Sequence, residues 1–159
     1  MPYTNPQGAI LSPASESSMS YLWVTIGSAL GGLLRYTLTR LTLSIDATGF
    51  PYGTVFINIV GSFVIGYFGT LTLHSGRFAV SSNLRLFVMV GICGGFTTFS
   101  SFSLQTFELA RTGSWGRALV NVVASVVLCL TAVAAGHRAA QVTTDRFAVV
   151  ETSEEEFTG

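Results

Sequence analysis

Hydrogen-bond donors stand inside stretches of this sequence that are otherwise apolar enough to cross a membrane. They are amide and hydroxyl side chains: Asn58, Thr97, Thr98, Ser100, Ser101, Asn121 and Ser125. Phe99 and Phe102 lie among them, three residues apart and therefore on one face of a helix. Such donors and the positive edges of phenyl rings suit an anion, whereas backbone carbonyls freed from a helix suit a small cation. The pattern therefore favours ion binding, although ordinary packing of the phenylalanines and a helix–helix contact at Asn58 remain open on these residues alone.

The segment that must position these groups is Gly91–Phe102, which reads GICGGFTTFSSF. It lies inside an uncharged run, Leu86–Phe107, that is long enough to span a bilayer. Glycine and β-branched threonine both weaken a helix interior. Irregular backbone at membrane depth is tolerated only where protein buries it or where it lines a cavity. We therefore expect a break in the middle of a spanning helix.

The composition predicts an all-α integral membrane protein. Hydrophobic residues make up 49% of the chain and charged residues only 10%, against about 25% in soluble domains. Four uncharged or nearly uncharged stretches are expected to span the bilayer: Tyr21–Leu43, Tyr52–Leu73, Leu86–Phe107 and Ala118–Gly136. Residues 21–138 then form the membrane domain, flanked by a disordered N-terminal tail at 1–20 and a polar, acidic C-terminal tail at 139–159.

Several classes of function are disfavoured by what the sequence contains. The net charge is zero, so no basic footprint for nucleic acid is expected. No nucleophile and base stand in a recognisable pattern, which argues against an enzyme. The spanning cores hold no Asp or Glu, although proton-coupled carriers usually need such a carboxylate. Cys93 and Cys129 lie in apolar segments without metal-ligand spacing and are expected to be free thiols.

The charges near the span ends bear on orientation. Four spans place both termini on one side, and the arginines near the span ends divide four against three between the two sides. An excess of arginines on one side normally sets the orientation of a membrane protein, and here the two sides are nearly even. Such a chain is therefore expected to insert both ways, and it could pair as an antiparallel dimer. Arg35 lies within the first span, where it could snorkel to the interface or face a water-filled mouth that attracts an anion.

Three motifs in the same order resemble those of the CrcB/Fluc family of fluoride channels. GGFTTFSSF at Gly94–Phe102 is similar to that family's GGxTTFSTF element. GGLLRY at Gly31–Tyr36 is similar to its first-helix GxxxRY element. GTVFINIVGSFVIG at Gly53–Gly66 resembles its second-helix GTLxVNxxGSFxxG signature. The resemblance covers about residues 21–138, and the departure at Ser101, where the family has threonine, retains a hydroxyl.

The resemblance implies a passive fluoride channel made of four helices that pairs as an antiparallel, dual-topology homodimer with two pores. Phe99 and Phe102 would line a pore, and Asn58 would donate a hydrogen bond to the ion. Ser101 and Ser125 would belong to a polar track, and Arg35 would lie at an aqueous vestibule. Backbone carbonyls of Gly94 and Thr97 would hold a structural sodium ion at the dimer interface. The role of Asn121 stays open, because relatives carry either an amide or a tyrosine there.

The family's setting would be the bacterial inner or plasma membrane, where the channel releases cytoplasmic fluoride down its electrochemical gradient and protects against fluoride toxicity. A small dual-topology multidrug or cation exporter is the alternative. The first span of such an exporter would be expected to carry a glutamate, but this chain has Arg35 there. A membrane assembly subunit that transports nothing is a third hypothesis.

Overall fold

The computed structural model describes residues 13–42, 49–72 and 80–158, and the side chains of 18–42, 49–72 and 80–146. Every regular element in these ranges is a helix, which confirms the predicted all-α class. The helices are α1 Pro13–Thr42, α2 Tyr52–Leu71, α3 Ser82–Arg85, a π-helical segment Leu86–Cys93, α4 Gly94–Phe96, α5 Phe99–Arg111 and α6 Trp115–Thr158. We refer to Ser82–Arg111 as the third span.

Three helical stretches in the described part of the chain are long and apolar enough to cross a membrane: Tyr52–Leu71, Ser82–Arg111 and Trp115–Arg146. Helix α1 has 30 residues but is not among them, because serines, threonines and two arginines lower its hydropathy. The molecule is therefore a multi-pass membrane protein by length and composition.

The helix ends differ from the predicted segment boundaries. Helix α1 begins at Pro13 and α6 continues to Thr158, so helix enters both segments that the sequence predicts as tails. No Gly or Pro follows Gly136 before Gly159, and α6 therefore meets no residue that would end it. Residues 1–12 of the predicted N-terminal tail lie outside the described residues.

Glycines in α1 pack against the third span within the same chain. A Cβ added to Gly27 would lie 2.5 Å from the carbonyl oxygen of Phe87 and 2.9 Å from Cα of Gly91. A Cβ at Gly31 would clash with the Ile92 carbonyl, whereas one at Gly32 would meet nothing within 4 Å. The small-residue face that the sequence offers to a neighbouring helix is thus largely used inside the chain.

A second close seam joins α2 to α6 and to the middle of the third span. Cβ atoms added to Gly66 and Gly136 would clash with the carbonyls of Val133 and Phe63, respectively, and one at Gly61 would clash with the Thr97 side chain. Helix α2 also supplies Ile57, one of the most fully buried side chains. These contacts hold α2 beside the segment that carries the candidate site.

Candidate functional site

Two residues of extended backbone separate α4 from α5. Thr97 has φ −79° and ψ 158°, and Thr98 has φ −152° and ψ 112°. The hydroxyl oxygen of Thr98 accepts a hydrogen bond from the backbone N–H of Ser101 at 3.1 Å. Thr98 is therefore the N-cap of α5 and satisfies one of the donors that a helix start leaves open.

The side chain of Asn58 on α2 binds this extended segment with both ends of its amide. Its Nδ2 donates to the Thr98 carbonyl at 3.2 Å, and its Oδ1 accepts from the Thr98 N–H at 2.8 Å. Asn58 is thus a helix–helix contact within the chain. Because an amide nitrogen carries two hydrogens, one of them is still available after the bond to Thr98.

The hydrogen bonds to Asn58 and to the Thr98 hydroxyl leave two backbone carbonyls without their usual helical partners. The Thr98 N–H, four residues after Gly94, donates to Asn58 instead. The Ser101 N–H, four residues after Thr97, donates to the Thr98 hydroxyl. The carbonyls of Gly94 and Thr97 consequently lose the partners that a continuous helix would give them.

Arg35 on α1 forms a hydrogen bond to the backbone beside the helix break. Its Nε donates to the Gly95 carbonyl at 3.1 Å, and the side chain is half-buried. The guanidinium therefore does not simply snorkel to the membrane surface. Its charge is held next to the C-terminal end of the helical run from Ser82 to Phe96, where a cation is favoured by the negative end of the helix.

A cavity of about 430 Å³ lies against the break, between the third span, α2 and α6. Six of the predicted site residues line it: Asn58, Gly94, Thr97, Phe99, Phe102 and Ser125. No charged residue lines this cavity. A bound ion there would meet amide, hydroxyl, sulfur, backbone and phenyl groups and no charged side chain.

The two phenylalanines are adjacent, as their spacing predicts. Their ring centroids lie 5.4 Å apart with an angle of 48° between the ring planes. Phe99 is 79% exposed in the single chain. Its edge is therefore available to an ion or to another copy of the chain.

Two of the predicted pore residues, Asn121 and Ser101, do not line the cavity. Asn121 is only 1% exposed and donates from Nδ2 to the Thr106 hydroxyl at 2.7 Å, which links α6 to α5. The hydroxyl of Ser125, which does line the cavity, lies 3.5 Å from Asn121 Oδ1. Ser101 accepts a hydrogen bond from Thr98 at 3.1 Å, and neither Ser101 nor Asn121 lines the cavity.

Sequence reasoning did not assign the central role of Thr98. This residue counts among the polar groups at depth, but only the structure makes it both the cap of α5 and the partner of Asn58. The sequence did contain a signal for a helix start at Thr98, because threonine is a favoured N-cap and here precedes the apolar Phe99. The π-helical turns of Leu86–Cys93 had no comparable signal.

Fold and cavity together define a class: a multi-pass helical membrane protein with an uncharged polar site at a helix break. Residues 22–137 match the family described as "CrcB-like protein, Camphor Resistance (CrcB)". This match covers well over half of the chain, and the chain belongs to the CrcB family.

Curated relatives give the same result at high identity. A protein of Methylobacterium radiotolerans, named "Fluoride-specific ion channel FluC", is 63% identical over 114 residues, or 72% of this chain and 79% of that protein. A protein of the same name from Gluconobacter oxydans is 60% identical over 117 residues, covering 73% and 81%. One from Methylocella silvestris is 57% identical over 119 residues, covering 75% and 91%.

Proposed function

We propose that this protein is a fluoride-specific ion channel and not an enzyme. The observation that carries the proposal is the uncharged cavity at the helix break, lined by Asn58, Phe99, Phe102 and Ser125. It lies within the part of the chain that aligns with relatives named as fluoride-specific channels. The proposed activity is passive release of cytoplasmic fluoride, which limits its toxicity.

The chemistry of the cavity explains how a small anion can cross. Fluoride gives up its hydration water only if close donors replace it, and the remaining N–H of Asn58 is such a donor. The Ser125 hydroxyl becomes a second one when it turns from its 3.5 Å contact with Asn121 Oδ1. The edges of Phe99 and Phe102 carry partial positive charge that attracts an anion weakly. Conduction needs binding that is favourable enough for entry and weak enough for release, and a site without a fixed positive charge meets both needs.

The driving force comes from the membrane itself. An interior-negative potential is worth about 2.3 kcal/mol per elementary charge at 100 mV, and it pushes an anion outward through any passive path. No energy-coupling group is then required, which agrees with spanning cores that hold no carboxylate. The proposed location is the bacterial inner or plasma membrane.

We also propose that α1 crosses the bilayer as a fourth span and that two copies pair in antiparallel orientation. Helix α1 packs its glycines on the third span, and the nearly even arginine distribution supports insertion in both directions. The 79% exposure of Phe99 supports a second copy of the chain as the wall that encloses the ion path.

A structural sodium ion at the dimer interface is the remaining part of the proposal. The freed carbonyls of Gly94 and Thr97 are oxygen ligands of the kind that a hard cation takes, and Gly94 is open on its Cα side. Replacing Na⁺ by a large organic cation in the buffer should lower the thermal unfolding temperature of the purified dimer. An unfolding temperature that is independent of Na⁺ would remove sodium from the proposal.

The alternative, a small dual-topology multidrug or cation exporter, is not favoured. Such a carrier is expected to hold an acidic residue in its first span, and Arg35 stands there instead, bonded to Gly95. The lining of the cavity offers a lipophilic cation no carboxylate partner.

Fluoride accumulation in intact cells tests the proposed function. In acidic medium, fluoride enters as neutral HF and dissociates inside, so cells that lack their own fluoride channel should accumulate it. Cells expressing this protein should retain less fluoride than cells expressing the Phe99→Ile variant at equal protein level. Equal retention, or protection against a lipophilic cation instead, would favour the alternative.

A further inference from the structure

Three sulfur-bearing side chains line the cavity at the break: Met89, Cys93 and Cys129. They include both cysteines of the chain, which has two, and one of its three methionines. Both cysteines are free thiols. The proposed fluoride path makes no use of any of these sulfurs.

The three residues come from elements on two sides of the cavity. Met89 and Cys93 lie four residues apart in the π-helical segment and so on neighbouring turns, and Cys129 lies on α6. Cys93 is buried and Cys129 is half-exposed. Met89 lies over α2, where its Cε would be 3.2 Å from a Cβ at Gly69. Both thiols and the thioether therefore border one cavity.

The ligand chemistry selects one class of metal ion. Thiolate and thioether ligands are soft and favour Cu⁺, whereas hard divalent cations favour carboxylates and water. No Asp, Glu or His lines the cavity. Among the described residues no group of three or more His, Cys, Asp or Glu could hold a metal, so a four-coordinate zinc site is not available. Two thiols and a thioether suit the low coordination number of Cu⁺ or Ag⁺.

We propose that this cavity binds one soft monovalent cation, Cu⁺ in the cell, through Cys93 and Cys129 with Met89 as a weaker third ligand, and that the bound ion blocks the fluoride path. The blocking part rests on the proposed function. Each thiol loses its proton to water as its sulfur bonds the metal, so binding releases two protons and changes no oxidation state. Two thiolates and one monovalent cation leave a net charge of −1, which repels an anion in the same cavity.

Ag⁺ binding to the purified protein tests the site independently of transport. We expect about one Ag⁺ per chain, retained after desalting in chloride-free buffer, with release of about two protons per ion. Cys129→Ala should weaken binding at least about tenfold. Because Cys129 is half-exposed, this variant should fold even if Cys93→Ala does not. Met19→Leu, which changes an exposed methionine outside the cavity, should bind as the unaltered protein does.

Unchanged Ag⁺ affinity in Cys129→Ala, or no bound Ag⁺ in the unaltered protein, would overturn the site. The block is measured separately as fluoride efflux from liposomes in nitrate buffer. Saturating Ag⁺ should stop efflux through the unaltered protein and spare Cys129→Ala. Full efflux at saturating Ag⁺ would overturn the block, while absence of efflux without Ag⁺ would count against the proposed function and leave the binding result standing.

Discussion

Asn58 and Thr98 form the most constrained contact at the site, since two hydrogen bonds join one side chain to one peptide group. The amide supplies a donor and an acceptor at once, which neither aspartate nor leucine can do. The sequence identified Asn58 as either a helix contact or an ion ligand. The geometry shows the first of these roles, and one remaining N–H makes the second compatible with it.

Asn58→Asp should abolish fluoride conduction. The carboxylate can still accept from the Thr98 N–H but cannot donate to the Thr98 carbonyl or to an anion. Two unit charges 4 Å apart repel by about 4 kcal/mol at an effective dielectric constant of about 20, so efflux should fall by at least about a hundredfold. Asn83→Asp is the matched control, because the Asn83 Oδ1 accepts from Ser20 and Asn83 does not line the cavity. Normal efflux through Asn58→Asp would leave Asn58 a structural contact only.

Thr98→Val should destabilise the protein by removing the cap of α5. Valine keeps the shape of threonine but cannot accept from the Ser101 N–H, and loss of such a cap costs about 1 kcal/mol. The measurement is thermal or denaturant unfolding in detergent, with Thr98→Ser as the control that retains the hydroxyl. Equal stability of the valine variant would show that another group satisfies the start of α5.

At the scale of the helices, the glycines of α1 decide how closely it approaches the third span. Gly27→Ala should destabilise the protein by about 1–3 kcal/mol, because the new methyl would meet the Phe87 carbonyl and backbone of the π-helical segment. Gly32→Ala in the same helix meets open space and should change stability by less than about 0.5 kcal/mol. Unfolding measured side by side separates the two. Equal effects would show that α1 and the third span are not packed through Gly27.

The positions of the apolar helices could be predicted from the sequence, because long uncharged runs indicate membrane spans. The glycines and threonines of the GGFTTFSSF segment indicate an interruption of the helix. The helix ends were missed because the polar composition of the predicted tails outweighed two local signals. Pro13 follows Ser12, which favours a helix start, and no Gly or Pro interrupts the chain between Gly136 and Gly159. The π-helical segment also escaped prediction. Its residues are ordinary apolar ones, and no Gly or Pro before Gly91 marks a change in the helix.

The sequence predicted which residues belong to the candidate site better than it predicted which of them contact each other. The spacing of Phe99 and Phe102 and of Asn121 and Ser125 correctly placed each pair on one face. Nothing in the sequence pairs Asn58 with Thr98 across 40 positions. That contact depends on the close approach of α2 and α4, which Gly61 permits by leaving room for the Thr97 side chain.

For the whole molecule, insertion in both orientations predicts labelling from both sides of the membrane. A cysteine at Gly116→Cys, in a Cys129→Ala background that keeps the buried Cys93, lies on an exposed and open position at the start of α6. The Cys129→Ala background alone gives the label that Cys93 takes up. A membrane-impermeant maleimide added to intact cells should label about half of the molecules if the chain has no orientation preference. Labelling of nearly all or nearly none would establish a single orientation.

Fluoride-selective efflux from liposomes tests the central claim most directly. Liposomes containing the purified protein and equal fluoride and chloride should release fluoride, measured with an ion-selective electrode, and retain chloride. Phe99→Ile should release much less fluoride at equal protein content, because the isoleucine side chain has no positive ring edge to offer the ion. Absence of fluoride efflux, or chloride efflux at the same rate, would contradict a fluoride-specific channel.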